Sequence, residues 1–207
     1  LDDNARALVV VEICLEKSPG DKRLTRLAAI YLSFIETCQK DDGTFVNYIK
    51  TSGEQDIPAN ARENLEDATS RAIYGLSVAV TRLVLSFRLK HRPGVALEKF
   101  FLREALVFPS PRANALFIKS LARLIEHKYN GLDGNKLKIQ LKTQCDELVA
   151  LYDKVHTNDW LWFEEYLTYS NAVLPEALFW GYRILGIKKY FSVAQEALNF
   201  LIEKSFL

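Results

Sequence analysis

The sequence predicts an all-α protein, and two observations support that class. Apolar residues recur at intervals of three and four along most of the chain, as Leu24, Leu27 and Tyr31 do in one segment. By contrast, residues 44–49 alternate weakly between polar and apolar side chains after an Asp-Gly pair, which predicts one short strand-like piece at most. A stable sheet needs more strands than this, so we expect a fold built from helices.

Eight helices are predicted, each ended by glycine, proline or a run of polar residues. They cover residues 2–17, 22–40, 66–89, 95–106, 111–128, 136–155, 171–185 and 189–204. The segment His91-Arg92-Pro93-Gly94 is expected to terminate the third helix. Ser110 is expected to cap the fifth helix, with Pro111 at its first position. Residues 51–64 and 156–170 are predicted loops, and the second is rich in aromatic side chains.

Length and charge exclude several classes of protein. The chain has 207 residues, enough for one domain, and we expect a single domain over residues 1–207. Lys plus Arg number 27 and Asp plus Glu number 26, so neither a nucleic acid nor an anionic membrane is the expected partner. No apolar run reaches the roughly 18 residues of a membrane span, and no signal peptide opens the sequence.

The cysteines indicate a reducing environment. Cys14, Cys38 and Cys145 are odd in number and widely spaced, which argues against a disulfide framework. The sequence has no Cys-x-x-Cys pair and its histidines are isolated, so a zinc cluster is not expected. We therefore predict a cytoplasmic protein with free thiols and without a metal or another cofactor.

Alternate helices share one style of beginning, which indicates a repeat. Residues 2–8, 66–73, 110–116 and 170–178 each place polar groups first, then closely spaced alanine or serine, then an apolar run. The helices between them carry wider charged faces, as an outer layer exposed on one side does. We therefore expect two layers, with the first, third, fifth and seventh helices inside and their polar N-terminal ends on one surface.

That surface is predicted to hold acids and aromatic rings, a combination that suits carbohydrate. Apolar faces of sugar rings stack on aromatic side chains, while carboxylates accept hydrogen bonds from hydroxyl groups. The acids are Asp2, Asp3, Glu66, Asp67, Glu164 and Glu165, and the loop aromatics are Phe45, Tyr48, Trp160, Trp162, Phe163, Tyr166 and Tyr169. Glycoside hydrolysis needs two carboxyl groups, and the residues alone do not say which two.

Each of these groups also has a purely structural interpretation. Acids in a first helical turn commonly cap the helix or interact favourably with its dipole. In this interpretation residues 160–163 plug the core, and Arg71 and Arg112 are buried ion-pair partners of the acids.

Five segments, taken in order, resemble a bacterial α-helical toroid family that belongs with the six-hairpin glycosidase-like folds. The matching segments are residues 2–8, residues 42–49, residues 66–67 with 71–76, residues 110–112, and residues 162–164 with 167–172 and 174–178. The family occurs alone or fused to mannosyltransferase-like glycosyltransferases. Two positions depart from its pattern: Ala68-Thr69-Ser70 stands where the family often has Ser-His-Gly, and Tyr74 where it often has tryptophan.

The resemblance implies an α/α toroid with a carbohydrate pocket at the N-terminal ends of its inner helices. Eight helices make about four hairpins, whereas the family has six, so we expect an incomplete ring, truncated at its C-terminal side. The sequence contains no methionine and begins with Leu1, which fits an excerpt of a longer chain.

Three acids are our candidates for catalysis in this pocket. Asp67 and Glu164 form the first acid and base pair, and Asp3 follows them. The candidate substrate-binding residues are Asp2, Asn4, Arg6, Asn47, Glu66, Arg71, Arg112, Trp160, Trp162, Tyr169 and Asn171. A carbohydrate is the expected ligand, and a glycosyltransferase domain or protein is the expected partner.

Three functions stay open at this point. The first is a glycoside hydrolase-like activity on a glycan, which requires two carboxyl groups roughly 5 to 10 Å apart across a pocket. The second is a non-catalytic sugar-binding or accessory domain of a glycosyltransferase system, with aromatics and arginines but no such pair. The third is a helical scaffold for protein partners, in which the acids serve as caps and in ion pairs.

Overall fold

The computed structural model describes residues 1–82, 89, 91–103 and 106–206, and within these ranges the chain forms helices and no strand. The all-α prediction is confirmed. The helices are α1 (Asp2–Lys17), α2 (Lys22–Cys38), α3 (Ile57–Asn60), α4 (Glu66–Thr81), α5 (Arg92–Phe101), α6 (Pro111–Glu126), α7 (Gly134–Val155), α8 (Val173–Leu185) and α9 (Lys188–Phe206). None of the helices in these ranges combines the length and the apolar character that a membrane span requires.

Local caps explain several helix boundaries that follow the predictions closely. Asp21 begins α2 and Asp133 begins α7, each accepting hydrogen bonds from two backbone N–H groups of the first turn. Ser110 caps α6 as predicted, because its hydroxyl accepts a hydrogen bond from the N–H of Ala113 at 3.4 Å. Gly186 ends α8 in the left-handed conformation, at φ 70°, which glycine adopts without steric cost.

The strand-like piece predicted at residues 44–49 does not form a strand. The segment makes two isolated bridges, at Phe45 and Ile49, in place of a ladder. Its Asp-Gly pair forms a local turn, in which the carboxylate of Asp42 accepts hydrogen bonds from both the N–H and the hydroxyl of Thr44. These two hydrogen bonds lower the pKa of Asp42 to about 2.

The loop predicted at residues 51–64 contains a helix that the sequence pattern did not indicate. The side chain of Asp56 accepts a hydrogen bond from the N–H of Ala59 at 3.1 Å and begins α3, which has Pro58 in its first turn. A helix of four residues is too short to show a hydrophobic period, so periodicity could not reveal it.

Helix α5 begins where the sequence predicted a helix to end. Arg92 and Pro93 occupy its first turn. N–H groups of the first turn have no acceptor within the helix, so proline, which has no N–H, costs no hydrogen bond there. The helix predicted at residues 95–106 therefore starts three residues earlier and ends at Phe101. Residues 104–105 lie outside the described residues.

The helix predicted at residues 66–89 is shorter in the structure. Helix α4 ends at Thr81, and Arg82 has an extended backbone with φ −96° and ψ 126°. The remainder of the predicted segment, residues 83–88, lies outside the described residues.

The chain divides into two compact units. Unit 1 comprises Leu1–Leu106 with Tyr129–Leu132 and contains α1 to α5. Unit 2 comprises Val107–Lys128 with Asp133–Leu207 and contains α6 to α9. Within the described residues, α1 packs against α2 and α4 against α5 in unit 1, while α6 packs against α7 and α8 against α9 in unit 2.

In unit 1 the helices α1 and α4 run parallel and side by side. Near their N-terminal ends Nε of Arg71 lies 3.0 Å from Oδ1 of Asp2, and near their C-terminal ends Nη1 of Arg82 lies 2.6 Å from Oε2 of Glu16. Helix α2 packs against α1, and α5 packs against α4. The polar beginnings of α1 and α4 therefore lie at the same end of unit 1.

Unit 2 repeats this arrangement with α6 and α8. Lys119 of α6 pairs with Glu176 of α8 at 2.8 Å, and seven residues further along both helices Glu126 pairs with Arg183. Equal spacing on the two helices shows that they run parallel. Helix α7 packs against α6, and α9 packs against α8.

Helices α4 and α6 are the most buried helices of their units. Ala72, Ile73 and Leu76 of α4 have no exposed surface, and neither have Phe117 and Leu121 of α6. The predicted inner layer includes α4 and α6, so their burial agrees with the prediction within each unit. Closure of the hairpins into a toroid stays a prediction.

The close approach of α1 and α4 predicts the effect of a larger residue at Gly75. A Cβ atom there would lie 3.1 Å from the carbonyl oxygen of Ala5, so a valine would push the two helices apart. We expect Gly75→Val to lower the free energy of unfolding by about 1–3 kcal/mol, measured by urea denaturation. The control is Gly134→Ala, with open space around it and an expected change below about 0.5 kcal/mol. A tolerated valine would contradict the close packing.

Candidate functional site

In unit 2, Arg112 is the centre of a hydrogen-bonded cluster at the beginning of α6. Its side chain is 6% exposed, and Nη1 donates hydrogen bonds to both carboxylate oxygens of Glu164, at 2.9 and 2.8 Å. Nη2 donates to Oδ1 of Asn171 at 2.9 Å, and Nε donates to the carbonyl oxygen of Tyr169. One buried guanidinium thus holds three residues of the segment that precedes α8.

The same segment folds around Glu164 through further hydrogen bonds. The indole N–H of Trp160 donates to the backbone carbonyl of Glu164 at 2.7 Å, and Oδ1 of Asn171 also accepts from the N–H of Thr168 at 3.2 Å. The side chain of Glu164 is 18% exposed, although the hydrogen bonds from Arg112 fix the position of its carboxylate. Glu164 is therefore an acid with a fixed orientation and limited access to solvent.

Two tyrosines of the same segment are exposed to solvent. Tyr169 is 56% exposed, and the guanidinium of Arg112 lies 4.9 Å from the centre of its ring. Tyr166 is 63% exposed. Arg112 therefore helps to orient one exposed aromatic ring as well as one carboxylate.

Trp162 is part of the core. Its side chain has no exposed surface, and its ring packs against Phe163 and Phe200, with ring centres 5.4 and 6.4 Å away. The prediction of Trp162 as a substrate-binding residue is therefore wrong, because its ring has no face open to a ligand. Its alternative interpretation as a residue that fills the core is correct. Trp160, the other tryptophan of the segment, is partly exposed.

In unit 1 a second cluster forms at the beginning of α1. Nε of Arg6 lies 3.2 Å from Asp2, and Arg6 also donates a hydrogen bond to Asp3 at 2.7 Å. Arg71 approaches Asp2 from α4, and its N–H is not aligned for a hydrogen bond. Asp3 is almost fully exposed, with 92% of its side chain accessible, whereas Arg71 is 17% exposed. Asp2 and Asp3, the acids of the first turn of α1, are thus arranged in ion pairs.

Asn47 connects this cluster to the loop that follows α2. Its side-chain oxygen accepts a hydrogen bond from the N–H of Asp2 at 3.2 Å, and its carbonyl accepts one from the nitrogen of Leu1 at 2.8 Å. The first turn of α1 lacks a cap from its own preceding side chain, so Asn47 supplies an acceptor from a distant segment.

Asn60 positions this loop, and the sequence interpretation missed it. Its Oδ1 accepts hydrogen bonds from the N–H groups of Asn47 and Tyr48, at 2.7 and 2.9 Å. Its Nδ2 donates to the carbonyls of Tyr48 and Asp56, at 2.9 and 2.7 Å. Hydrophobic periodicity does not reveal a buried asparagine within a polar loop. The capping residue Asp56, four positions earlier, is the local feature that could have indicated an ordered turn here.

The remaining candidates of unit 1 are Glu66, Asp67 and Asn4. Glu66 and Asp67 are partly buried in the first turn of α4, where Oδ1 of Asn64 accepts a hydrogen bond from the N–H of Glu66 at 2.8 Å. Asn4 lines a cavity of about 490 Å³ together with Arg26 and other residues of α2.

The structure therefore brings the candidates together in two separate groups. The group in unit 1 is Asp2, Asp3, Arg6, Asn47 and Arg71, and the group in unit 2 is Arg112, Trp160, Glu164, Tyr169 and Asn171. Asp67 belongs to unit 1 and Glu164 to unit 2, and their pairing as acid and base stays a prediction.

The part of the chain that the structure describes contains no group of three or more histidine, cysteine, aspartate or glutamate side chains placed to hold a metal ion. Its buried thiols are not activated. Burial raises the pKa of Cys38 to about 11 and also raises the pKa of Cys145, which keeps both protonated near neutral pH.

No protein-family model matches the chain, and no curated protein is significantly similar to it. The resemblance to the toroid family therefore rests on its sequence motifs.

The four hydrogen bonds of Asn60 predict a large effect of its removal. We expect Asn60→Ala to lower the free energy of unfolding by about 2–4 kcal/mol, because backbone groups of Asn47 and Tyr48 lose their partners. Urea denaturation measures the change. Asn64→Ala, which removes one exposed hydrogen bond, is the control, with an expected cost below about 1 kcal/mol. Equal costs of the two substitutions would refute a special role for Asn60.

The cluster around Arg112 predicts that lysine cannot replace it. A lysine ammonium lacks the planar fork that serves Glu164 and Asn171 together. We expect Arg112→Lys to lower the free energy of unfolding by about 2–3 kcal/mol, followed by tryptophan fluorescence. Arg183→Lys is the control, because this arginine is 62% exposed and its ion pair contributes below about 1 kcal/mol. An unchanged free energy of unfolding in Arg112→Lys would mean that the buried cluster adds no stability.

Proposed function

We propose that this chain is a carbohydrate-active domain, glycoside hydrolase-like, built on an α/α toroid. It binds a glycan at the N-terminal ends of its inner helices. The observation that carries the proposal is the partly exposed side chain of Glu164, whose carboxylate is fixed by Arg112, in a segment that also contains the exposed Tyr166 and Tyr169. Fixed acceptors beside exposed aromatic rings suit the hydroxyl groups and apolar faces of a sugar.

Rigidity supports the same proposal. Arg112 bonds to the carboxylate of Glu164, to the amide of Asn171 and to the backbone at Tyr169, so these groups keep their positions before a ligand arrives. A site whose groups are already in place loses less conformational entropy on binding. The geometry favours a preformed binding surface over one assembled around the ligand.

Catalysis in this proposal uses Asp67 and Glu164, with Asp3 as the next candidate. One carboxyl group donates a proton to the glycosidic oxygen, and the other activates water or attacks the sugar carbon. The separation of the two carboxyl groups decides between these routes: at about 5 Å the second carboxylate attacks the sugar carbon with retention, and at up to about 10 Å it activates a water with inversion.

A non-catalytic sugar-binding domain of a glycosyltransferase system is the second candidate, and one observation favours it. Both oxygens of Glu164 already accept hydrogen bonds from Arg112, which suits a carboxylate that binds hydroxyl groups more than one that donates a proton. A glycosyltransferase domain or protein would be its partner. A cytoplasmic location belongs to either form of the proposal and is supported by the free thiols.

A glycan-binding and hydrolysis screen tests the proposal with three variants. We expect Tyr166→Ala to weaken glycan binding about tenfold without unfolding the chain, because its ring is exposed. Phe206→Ala removes an aromatic ring that is 82% exposed and lies near the end of α9, and it should leave binding unchanged. Asp67→Asn should bind glycan and abolish hydrolysis.

The outcomes separate the functions. Binding without turnover by the unmodified chain would reject the hydrolase and support the binding domain. Failure to bind any glycan would reject both and leave the helical scaffold. Equal losses from Tyr166→Ala and Phe206→Ala would place the glycan elsewhere.

A further inference from the structure

Glu12 is a wholly buried acid on α1. Its side chain has no exposed surface, and neither carboxylate oxygen has a hydrogen-bond partner. An ionised carboxylate in such surroundings is strongly destabilising, so the folded chain favours the neutral acid. Burial accordingly raises the pKa of Glu12 to about 7, with Arg82 opposing the shift and Glu16 adding to it.

The charged groups around Glu12 are few and asymmetrically arranged. Among the described residues, Arg82 acts on it from the end of α4 and Glu16 from the next turn of α1, while α2 contributes none. Nη1 of Arg82 lies 2.6 Å from Oε2 of Glu16 without the alignment of a hydrogen bond, and its Nε also lacks a partner. One arginine therefore acts electrostatically on both acids and forms an ion pair with the more exposed one.

We infer that Glu12, Arg82 and Glu16 form a proton-operated switch within unit 1. When Glu12 loses its proton, Arg82 leaves Glu16 and pairs with Glu12, which draws the end of α4 towards the buried face of α1. The driving force is the cost of an unpaired buried charge, which greatly exceeds the value of the exposed pair that is given up. The exchange conserves charge, because the proton passes to solvent and Arg82 remains a cation.

The direction of the pH dependence follows from the raised pKa. Because the folded chain holds the proton more tightly than the unfolded chain, this contribution to stability is complete below pH 4.5 and is lost as the pH rises through about 7. Between pH 5.5 and 8.5 the unfolding constant of unit 1 should rise on the order of 30-fold through Glu12 alone.

Urea unfolding of the full chain at pH 5.5 and 8.5, followed by NMR signals of α1 and α4, tests the switch. Glu12→Gln keeps the shape and removes the charge, so its unfolding constant should lack this rise of about 30-fold. Glu16→Gln frees Arg82 for Glu12 at every pH, so the rise should shrink to below about tenfold. Glu203→Gln, an exposed acid of α9, is the matched control and should behave as the unmodified chain does.

Two results would overturn the inference. The same pH dependence in the unmodified chain and in Glu12→Gln would show that Glu12 does not titrate in this range. An unchanged pH dependence in Glu16→Gln would show that Arg82 is not exchanged. If Glu12→Gln does not fold, the carbon-13 shift of the Glu12 carboxyl in the unmodified chain decides: a midpoint near 7 supports the switch and one near 4.5 rejects it.

Discussion

The parallel contact between α1 and α4, and its counterpart between α6 and α8, is the constraint on which the remainder of each unit depends. Gly75 lies so close to the backbone of Ala5 that small residues are required at this crossing. Two parallel helices place their N-terminal ends together, and each end exposes N–H groups that need acceptors. Polar residues therefore collect at one end of each unit because the helices pack in this direction.

Acceptors for those ends come from elsewhere in the chain. In unit 1 the loop after α2 supplies Asn47 to the beginning of α1, and Asn60 holds that loop in place. In unit 2 the segment before α8 gathers around Arg112 of α6. In both units a connecting segment is fixed by its contact with a helix end.

The two clusters differ in what they leave accessible. In the cluster of unit 1, Asp2 and Asp3 form ion pairs with Arg6, Arg71 also approaches Asp2, and Asp3 points into solvent. In unit 2 the arginine is buried, while the carboxylate of Glu164 and the ring of Tyr169 retain exposed surface. A ligand at the beginning of α6 therefore meets acceptors and aromatic faces, and it does not meet an exposed guanidinium from Arg112.

The sequence predicts the described helices other than α3 and many of the residues in these clusters, because caps and periodicity are local signals. Ser110 begins α6 through its hydroxyl cap, and Gly186 ends α8 through its left-handed backbone conformation. The prediction at Pro93 was wrong, because residues 91–94 can either end one helix or begin the next. Packing decides between the two, and here a helix begins.

Tertiary contacts set the limit of that reasoning. Asn60 makes its four hydrogen bonds to groups up to 13 residues away, and Trp162 is buried by Phe200, which lies far along the chain. Neither fact is encoded in the neighbouring residues. A tryptophan that stacks on a sugar and one that fills a core have the same local sequence, so partners distant in sequence had to be known first.

The ion pairs between α6 and α8 have a consequence for the specificity of folding. Lys119 with Glu176 and Glu126 with Arg183 recur at an interval of seven on both helices, which is the interval of a heptad. Apolar side chains would tolerate a slip of one helix along the other, since many of them are interchangeable in a stripe. A slip of one turn would instead bring Lys119 opposite Ala172 or Trp180 and would separate both charge pairs at once. Loss of both pairs would therefore disfavour the slipped alignment, whatever each pair contributes to the stability of the native one.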